Sequence, residues 1–307
     1  VSTHYYRFTL RGAEARRRAP TLERLLARAD AFPVTEWRAD AFRAIAPQAA
    51  MPGVAAAALC AEQGSVRGAS VFLATPVHYE AEMSTVRLAA DGILSLQQPE
   101  ADALAADFNR VWHGAGVRML AGRCADVYCV FDQALVAVTR DPDEVLGEPI
   151  VGHLPAGDGA RRLRQLMSEM ELWLFDHEVN RARSAAPAVT GLWLWGGGPV
   201  LQSLPPVSGW TRGGDAFFRA FGTSPGAGAG ADTAADSDSG VAVIGAPPGS
   251  TGWSDAERRW LLPSAAAWRA GRLERLDLSA DGRCFSLTAR ARWRFWRRSR
   301  PWWEHFE

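Results

Sequence analysis

The chain has 307 residues, 48% of them hydrophobic, with 34 basic and 34 acidic side chains. That length allows one large domain or two small ones with a real core, and the formal charge of zero excludes attraction to nucleic acid or an anionic membrane by whole-molecule charge. Every basic residue is Arg and Asn occurs only at Asn109 and Asn180, a coding bias that weakens Arg as a signal of phosphate binding.

The opening stretch VSTHYYRFTLRGAEARRR carries its charges after a short apolar run, the wrong order for a secretory signal. No apolar run reaches the roughly 18 residues of a membrane span, so no transmembrane segment is expected and the expected location is the cytoplasm. Residues 1–68 are expected to form a helical N-terminal region. Leu22, Leu25, Leu26 and Ala29 fall on one helical face, and Trp37, Ala41 and Ile45 repeat the pattern. Arg16, Arg17 and Arg18 read as a solvated face.

From Ala69 the period changes, and residues 69–221 are expected to be an α+β core. SVFLATPVHYEAEMSTVRLAADGILSL reads as short strands with a turn at Asp91-Gly92. Pro99 opens a helix with Leu104, Phe108 and Val111 as its stripe, and strands return in VRMLAG and DVYCVFDQALVAVT. The spacing in GARRLRQLMSEMELWLFDHEVNRAR predicts the clearest helix, with Leu163, Leu166, Met167, Met170 and Leu174 as a core stripe. Residues 222–240 are small and acidic and read as a flexible linker. Residues 241–307 are expected to be a helix-hairpin-helix segment packing on the core. Ser254 and Glu257 form a capping box there, and the hairpin turns at Asp281-Gly282. The fold class is therefore α+β: a helical N-terminal region, a mixed β-sheet with packed helices, and a C-terminal helix plus β-hairpin. Cys60, Cys124, Cys129 and Cys284 lack zinc-site spacing and read as reduced thiols.

The string GLWLWGGG at 191–198 raises the question of a phosphate loop. Such a loop needs a helix N-terminus straight after the glycines. Pro199 and Pro205-Pro206 argue against one, and no Lys-Ser/Thr follows. The alternative is a central strand covered on both faces, with a sharp glycine exit where backbones approach closely.

The longer string DHEVNRARSAAPAVTGLWLWGGG resembles a motif of bacterial and archaeal cofactor-independent phosphoglycerate mutases. There a helix end reading His-Pro-Val-Asn, then Arg, precedes Pro-Ala-Asn and a Trp-Leu-Trp-Gly strand. With Pro76-Val77-His78, Leu154 to Gly157 and Trp293 to Arg298, the chain is similar over most of its length to shorter proteobacterial phosphoglycerate-mutase-like regulatory proteins of the RpfE type. Glu178 stands where the family has Pro, and Thr190 where it has Asn. The resemblance implies chemistry with a nucleophilic Ser and two metal ions held by Asp and His. This sequence shows no N-terminal Asp-Gly metal motif and no Asp-x-x-Asp-His cluster, and its His residues (4, 78, 113, 153, 177 and 305) are isolated. The expectation is a regulatory or ligand-binding protein without the two-metal core, leaning away from an enzyme. No cofactor is identified. Mn or Mg enters only with the alternative, an active mutase or other phosphoester enzyme. The expected partners are a phosphorylated small molecule or a protein, not a specific nucleic acid.

Four residues stand out as a candidate ligand site: His177, Asn180, Arg183 and His78. If the long helix continues, the first three share a face, with Arg183 as a fork for phosphate or carboxylate. The competing and favoured reading is a cap, in which Asn180 ends the helix and Arg183 binds free carbonyls. His78 ranks below Arg183, because a lone strand His is more often a satisfied half-buried side chain than a ligand. In the tail, Arg290, Arg292, Arg294, Arg297, Arg298 and Arg300 interleave with Trp293, Phe295, Trp296, Trp302 and Trp303. That pattern suits single-stranded nucleic acid or an anionic membrane surface. A docked helix with aromatics inward and Arg outward is preferred.

Overall fold

The computed structural model describes residues 2–8, 18–183, 186–222, 239–244 and 257–305. Residues 223–238 of the low-complexity stretch, Ser254, Arg16 and Arg17 lie outside them. The chain forms two compact α+β units: Val1–Met51 with Pro205–Glu307, and Pro52–Leu204. The first unit begins with β1 (Thr3–Phe8), α1 (Pro20–Arg28), β2 (Asp30–Pro33) and α2 (Trp37–Ile45). The second contains α3 (Val54–Gln63), β3 (Ser70–Ala81), β4 (Val86–Ile93), α4 (Gln98–Val111), β5 (Val117–Ala121), β6 (Val127–Phe131), α5 (Ala160–Phe175), α6 (Glu178–Ala182) and β7 (Gly191–Pro199). The first unit then resumes with β8 (Trp210–Gly213), α7 (Ala216–Arg219), β9 (Gly240–Ile244), α8 (Leu262–Arg269), β10 (Arg275–Ala280) and β11 (Arg283–Leu287).

The expected all-helical start is corrected by β1, which lies inside a six-stranded sheet of order β2-β11-β10-β1-β9-β8. It runs parallel to both β9 and β10. The reason is period-2 alternation in HYYRF: Tyr6 and Phe8 join Leu276, Leu278, Phe285 and Leu287 in one core, closed by Leu22, Leu25 and Leu26 of α1 and Trp268 of α8. The predicted α1 and α2 are both present. Their unit closes not at residue 68 but at Met51, because the chain resumes the same sheet after Pro205. The C-terminal segment likewise belongs with residues 1–51. Its hairpin turns as predicted, with Asp281 (φ 43°) and Gly282 (φ 73°) both left-handed. Among the described residues no long helix follows it. Single 3-10 turns occupy Ala289–Trp293 and Trp302–His305. Trp302 is buried, but Trp293, Phe295 and Trp296 are 74, 72 and 66% exposed, against the expectation of aromatics inward.

In Pro52–Leu204, β3 is the organising strand. It pairs antiparallel with β4, β6 and β7, and β5 extends the sheet beyond β6. β7 pairs only with β3, so it is an edge strand rather than the central one expected. β7 packs against α3 and α5, and Leu192, Trp193, Leu194 and Trp195 are all buried, which is why composition alone reads as central. The β3–β4 turn falls at 82–85, where Glu82 N–H donates to Thr85 O, and not at Asp91-Gly92. Gly92 instead allows a close approach: a Cβ there would sit 2.7 Å from His78 O.

The glycine run has a mechanical reading. Two residues, Gly196 and Gly197, face Phe72 alone where the β3–β7 register shifts, the geometry of a bulge. Gly196 is left-handed at φ 65°. A Cβ on Gly197 would overlap the Phe72 ring. Replacing Gly197 with Ala should therefore destabilise the unit by about 1–3 kcal/mol through overpacking. Urea unfolding of the variant checks this, and an unchanged midpoint would mean the ring moves aside freely.

Candidate functional site

The polar residues of the mutase-like string gather around the segment that feeds β7. The expected continuous helix breaks: α5 ends at Phe175, and His177 adopts extended angles (φ −73°, ψ 143°) to start α6. His177 Nδ1 accepts the Val179 N–H at 3.2 Å, an N-cap. With Nδ1 accepting, the single proton of the neutral ring sits on Nε2. That atom lies 3.2 Å from Asp107 Oδ2, within ion-pair reach but not aligned as a hydrogen bond. Burial pushes the imidazole pKa below its ordinary value, and Asp107 opposes that shift. The ring edge rests on Trp173, with centroids 4.5 Å apart.

Asn180 uses its whole amide. Nδ2 donates to Leu174 O (2.8 Å) and Val189 O (2.9 Å), and Oδ1 accepts Val189 N–H (2.8 Å). It thus closes the end of α5 and pins the entry to β7. Arg183 is also engaged. Nη1 meets both carboxylate oxygens of Glu100, at 3.0 and 3.1 Å, and Nε donates to Pro187 O at 3.2 Å. Glu100 in turn caps α4 by accepting the Gln97 N–H at 2.7 Å. His78 Nδ1 donates to Ala188 O at 2.9 Å. Thr190 Oγ1 accepts the Tyr79 N–H at 2.6 Å, so the hydroxyl occupies a main-chain role at a position where the family has an amide.

Asn180, Arg183 and His78 therefore converge on residues 187–190, while His177 faces the other way, toward Asp107. Because the helix breaks at Asp176, His177 does not continue the face of α5. The geometry is a main-chain clamp in which the Arg183 guanidinium is held by a carboxylate. Glu100 and Thr190 complete it, and Asp107 faces His177 outside it; of the three only Thr190 stands out in the sequence, as a departure from the motif. The Gln97-x-x-Glu100 capping pattern was visible, although nothing in the sequence joined it to Arg183. Among the described residues, no three His, Cys, Asp or Glu side chains come together as a metal site. Cys124 is exposed, and the other three thiols are buried and free.

No protein-family model matches the chain. A 72-residue segment is 42% identical to the 2,3-bisphosphoglycerate-independent phosphoglycerate mutase of Methanothrix thermoacetophila, covering 22% of this chain and 18% of that protein. A probable mutase of the same kind from Geobacter sulfurreducens is 42% identical over 75 residues, 23% of this chain and 18% of that protein. The match thus spans under a fifth of either relative's length. Among solved structures, the cofactor-independent phosphoglycerate mutase of Thermoplasma acidophilum is 14% identical, with a TM-score of 0.38 over 94% of this chain and 89% of that one. A protein from Pyrococcus horikoshii is 13% identical, with a TM-score of 0.39 over 94 and 87%. Part of this chain is homologous to part of the cofactor-independent phosphoglycerate mutases.

Two outcomes follow from the clamp. Asn180→Ala strands the Val189 N–H and two carbonyls and should cost about 2–4 kcal/mol in denaturant unfolding. Asn180→Asp keeps only the acceptor and turns a carboxylate toward those carbonyls, so it should be at least as damaging. The second outcome concerns acid. The folded pKa of His177 lies below the unfolded value near 6.5, so the unfolded chain binds more protons as pH falls. Its contribution is complete above about pH 6.5 and is lost as pH falls through the depressed folded pKa. His177→Asn keeps a cap without a titrating ring, and pH-dependent melting should show a shallower acid limb.

Proposed function

We propose that this chain is a phosphoglycerate-mutase-like regulatory or ligand-binding protein of the cytoplasm, of the RpfE type, rather than a turnover enzyme. The observation that carries the reading is Arg183. The residue best suited to fork a phosphoglycerate is held by Glu100 and the Pro187 carbonyl, with its side chain 9% exposed. Asn180, also part of the mutase-like string, has its amide nitrogen committed to two main-chain carbonyls and its oxygen accepting the Val189 N–H. The donors that two Mn or Mg ions would require do not come together among the described residues, so those ions do not fit this arrangement.

The full chain, incubated with 3-phosphoglycerate with and without Mn²⁺, should form no 2-phosphoglycerate above background, followed by phosphorus NMR. Turnover that needs Mn²⁺ would replace this reading with the active mutase. Calorimetry on the same samples reads binding apart from turnover: saturable heat assigns 3-phosphoglycerate as a ligand, and its absence removes it. Arg183→Ala should lower the melting temperature and leave any such heat unchanged in affinity.

A further inference from the structure

The Arg-rich tail carries a second feature, in the unit that holds β1. Arg294 forks Asp30 at 2.6 and 3.0 Å and donates to Arg28 O, and Arg297 donates to Ala29 O. These bonds seat the tail against the end of α1 and the start of β2. A cavity of about 500 Å³ results, with Leu26 and Phe285 among its apolar lining and Arg297, Arg298, Arg300 and His305 among its polar lining.

The charges there are unbalanced. Asp30 is the one carboxylate lining the cavity, and Arg294 already holds both its oxygens. Glu23, in the neighbouring core, is forked by Arg18. Arg298 and Arg300 make no hydrogen bond or ion pair among the described residues. His305 is 9% exposed, and its Nε2 has no hydrogen-bond partner among the described residues. A buried polar atom left unpaired costs about 1–3 kcal/mol. Burial, with Arg300 close by, lowers the His305 pKa to about 4, so at neutral pH the ring is uncharged and carries one N–H.

We propose that this cavity binds a small phosphorylated ligand, with its phosphate held by Arg298 and Arg300. Guanidinium forks match phosphate oxygens, and several together suit a dianion better than a single carboxylate. The site lies in the unit outside Pro52–Leu204 and does not depend on the mutase-like reading.

The test uses pyrophosphate as the probe, titrated calorimetrically into the full chain at low ionic strength. Saturable binding to one site is expected. The Arg298→Ala/Arg300→Ala double variant should weaken it at least tenfold while keeping the wild-type melting temperature, since both side chains are exposed. Arg161→Ala, an exposed Arg on α5, and Trp296→Ala should leave it unchanged. No heat with wild type, or an equal loss in Arg161→Ala, overturns the proposal. Two further arms separate the sources of phosphate: vesicles of phosphatidylcholine with phosphatidic acid, and a single-stranded oligonucleotide. Binding to either that depends on Trp296 and not on Arg298 and Arg300 would overturn the small-ligand site in favour of a surface contact. Failure of either arm to bind, with pyrophosphate bound, supports it.

Discussion

The structure of Pro52–Leu204 depends on how the chain crosses from a helix to a buried strand in a few residues. Main-chain polar groups removed from water must find partners, and the segment 187–190 has no regular structure to supply them. One side-chain amide solves most of the problem. Asn180 satisfies the last turn of α5 and both main-chain groups of Val189 at once. Arg183 and His78 take the carbonyls of Pro187 and Ala188 just before it. With the entry fixed, β7 lies along β3 in one register, and the bulge at Gly196 and Gly197 lets α3 come down on its far end.

This arrangement bears on what likeness to an enzyme means. A string of His, Asn and Arg before a Trp strand looks like chemistry because those residue types do chemistry elsewhere. Here each performs a task that any protein with this crossing requires: a cap, a bridge between carbonyls, a tie to the next helix. The clamp between α5 and β7 can therefore be valuable as a folding module, whatever reaction surrounds it.

Much of the local structure was legible in the sequence and most of the pairing was not. α1, α2, α4 and the Asp281-Gly282 hairpin follow from periodicity and turn chemistry acting within a few residues. The strand character of β1 was missed because its partners are residues 240–244 and 275–280, far along the chain. The break at Asp176 leaves no mark in the sequence, because no Gly or Pro stands there and Leu174 and Val179 are both buried. His177 as an N-cap is an unusual choice, so the ordinary capping signal was absent. The capping alternative for Asn180 and Arg183 could be stated from residue types, but Glu100 could not be connected to Arg183 across 83 positions. The tail misled in another way: its alternating Arg and aromatic residues suggest a docked helix, whereas Arg294 and Arg297 fasten it through α1 and β2 and leave three aromatics outside.

The placement of β1 between β9 and β10 also sets an order of events as the chain emerges from the ribosome. Residues 52–204 contain every strand of their own sheet and can complete it as soon as they are made. β1 is synthesised before all of them, yet both its neighbours come after residue 239. Contacts of such long range form slowly, and a strand with two open edges invites wrong pairing while it waits. β1 is thus among the last strands to find its place, and the interval is as long as the synthesis of everything between it and its partners.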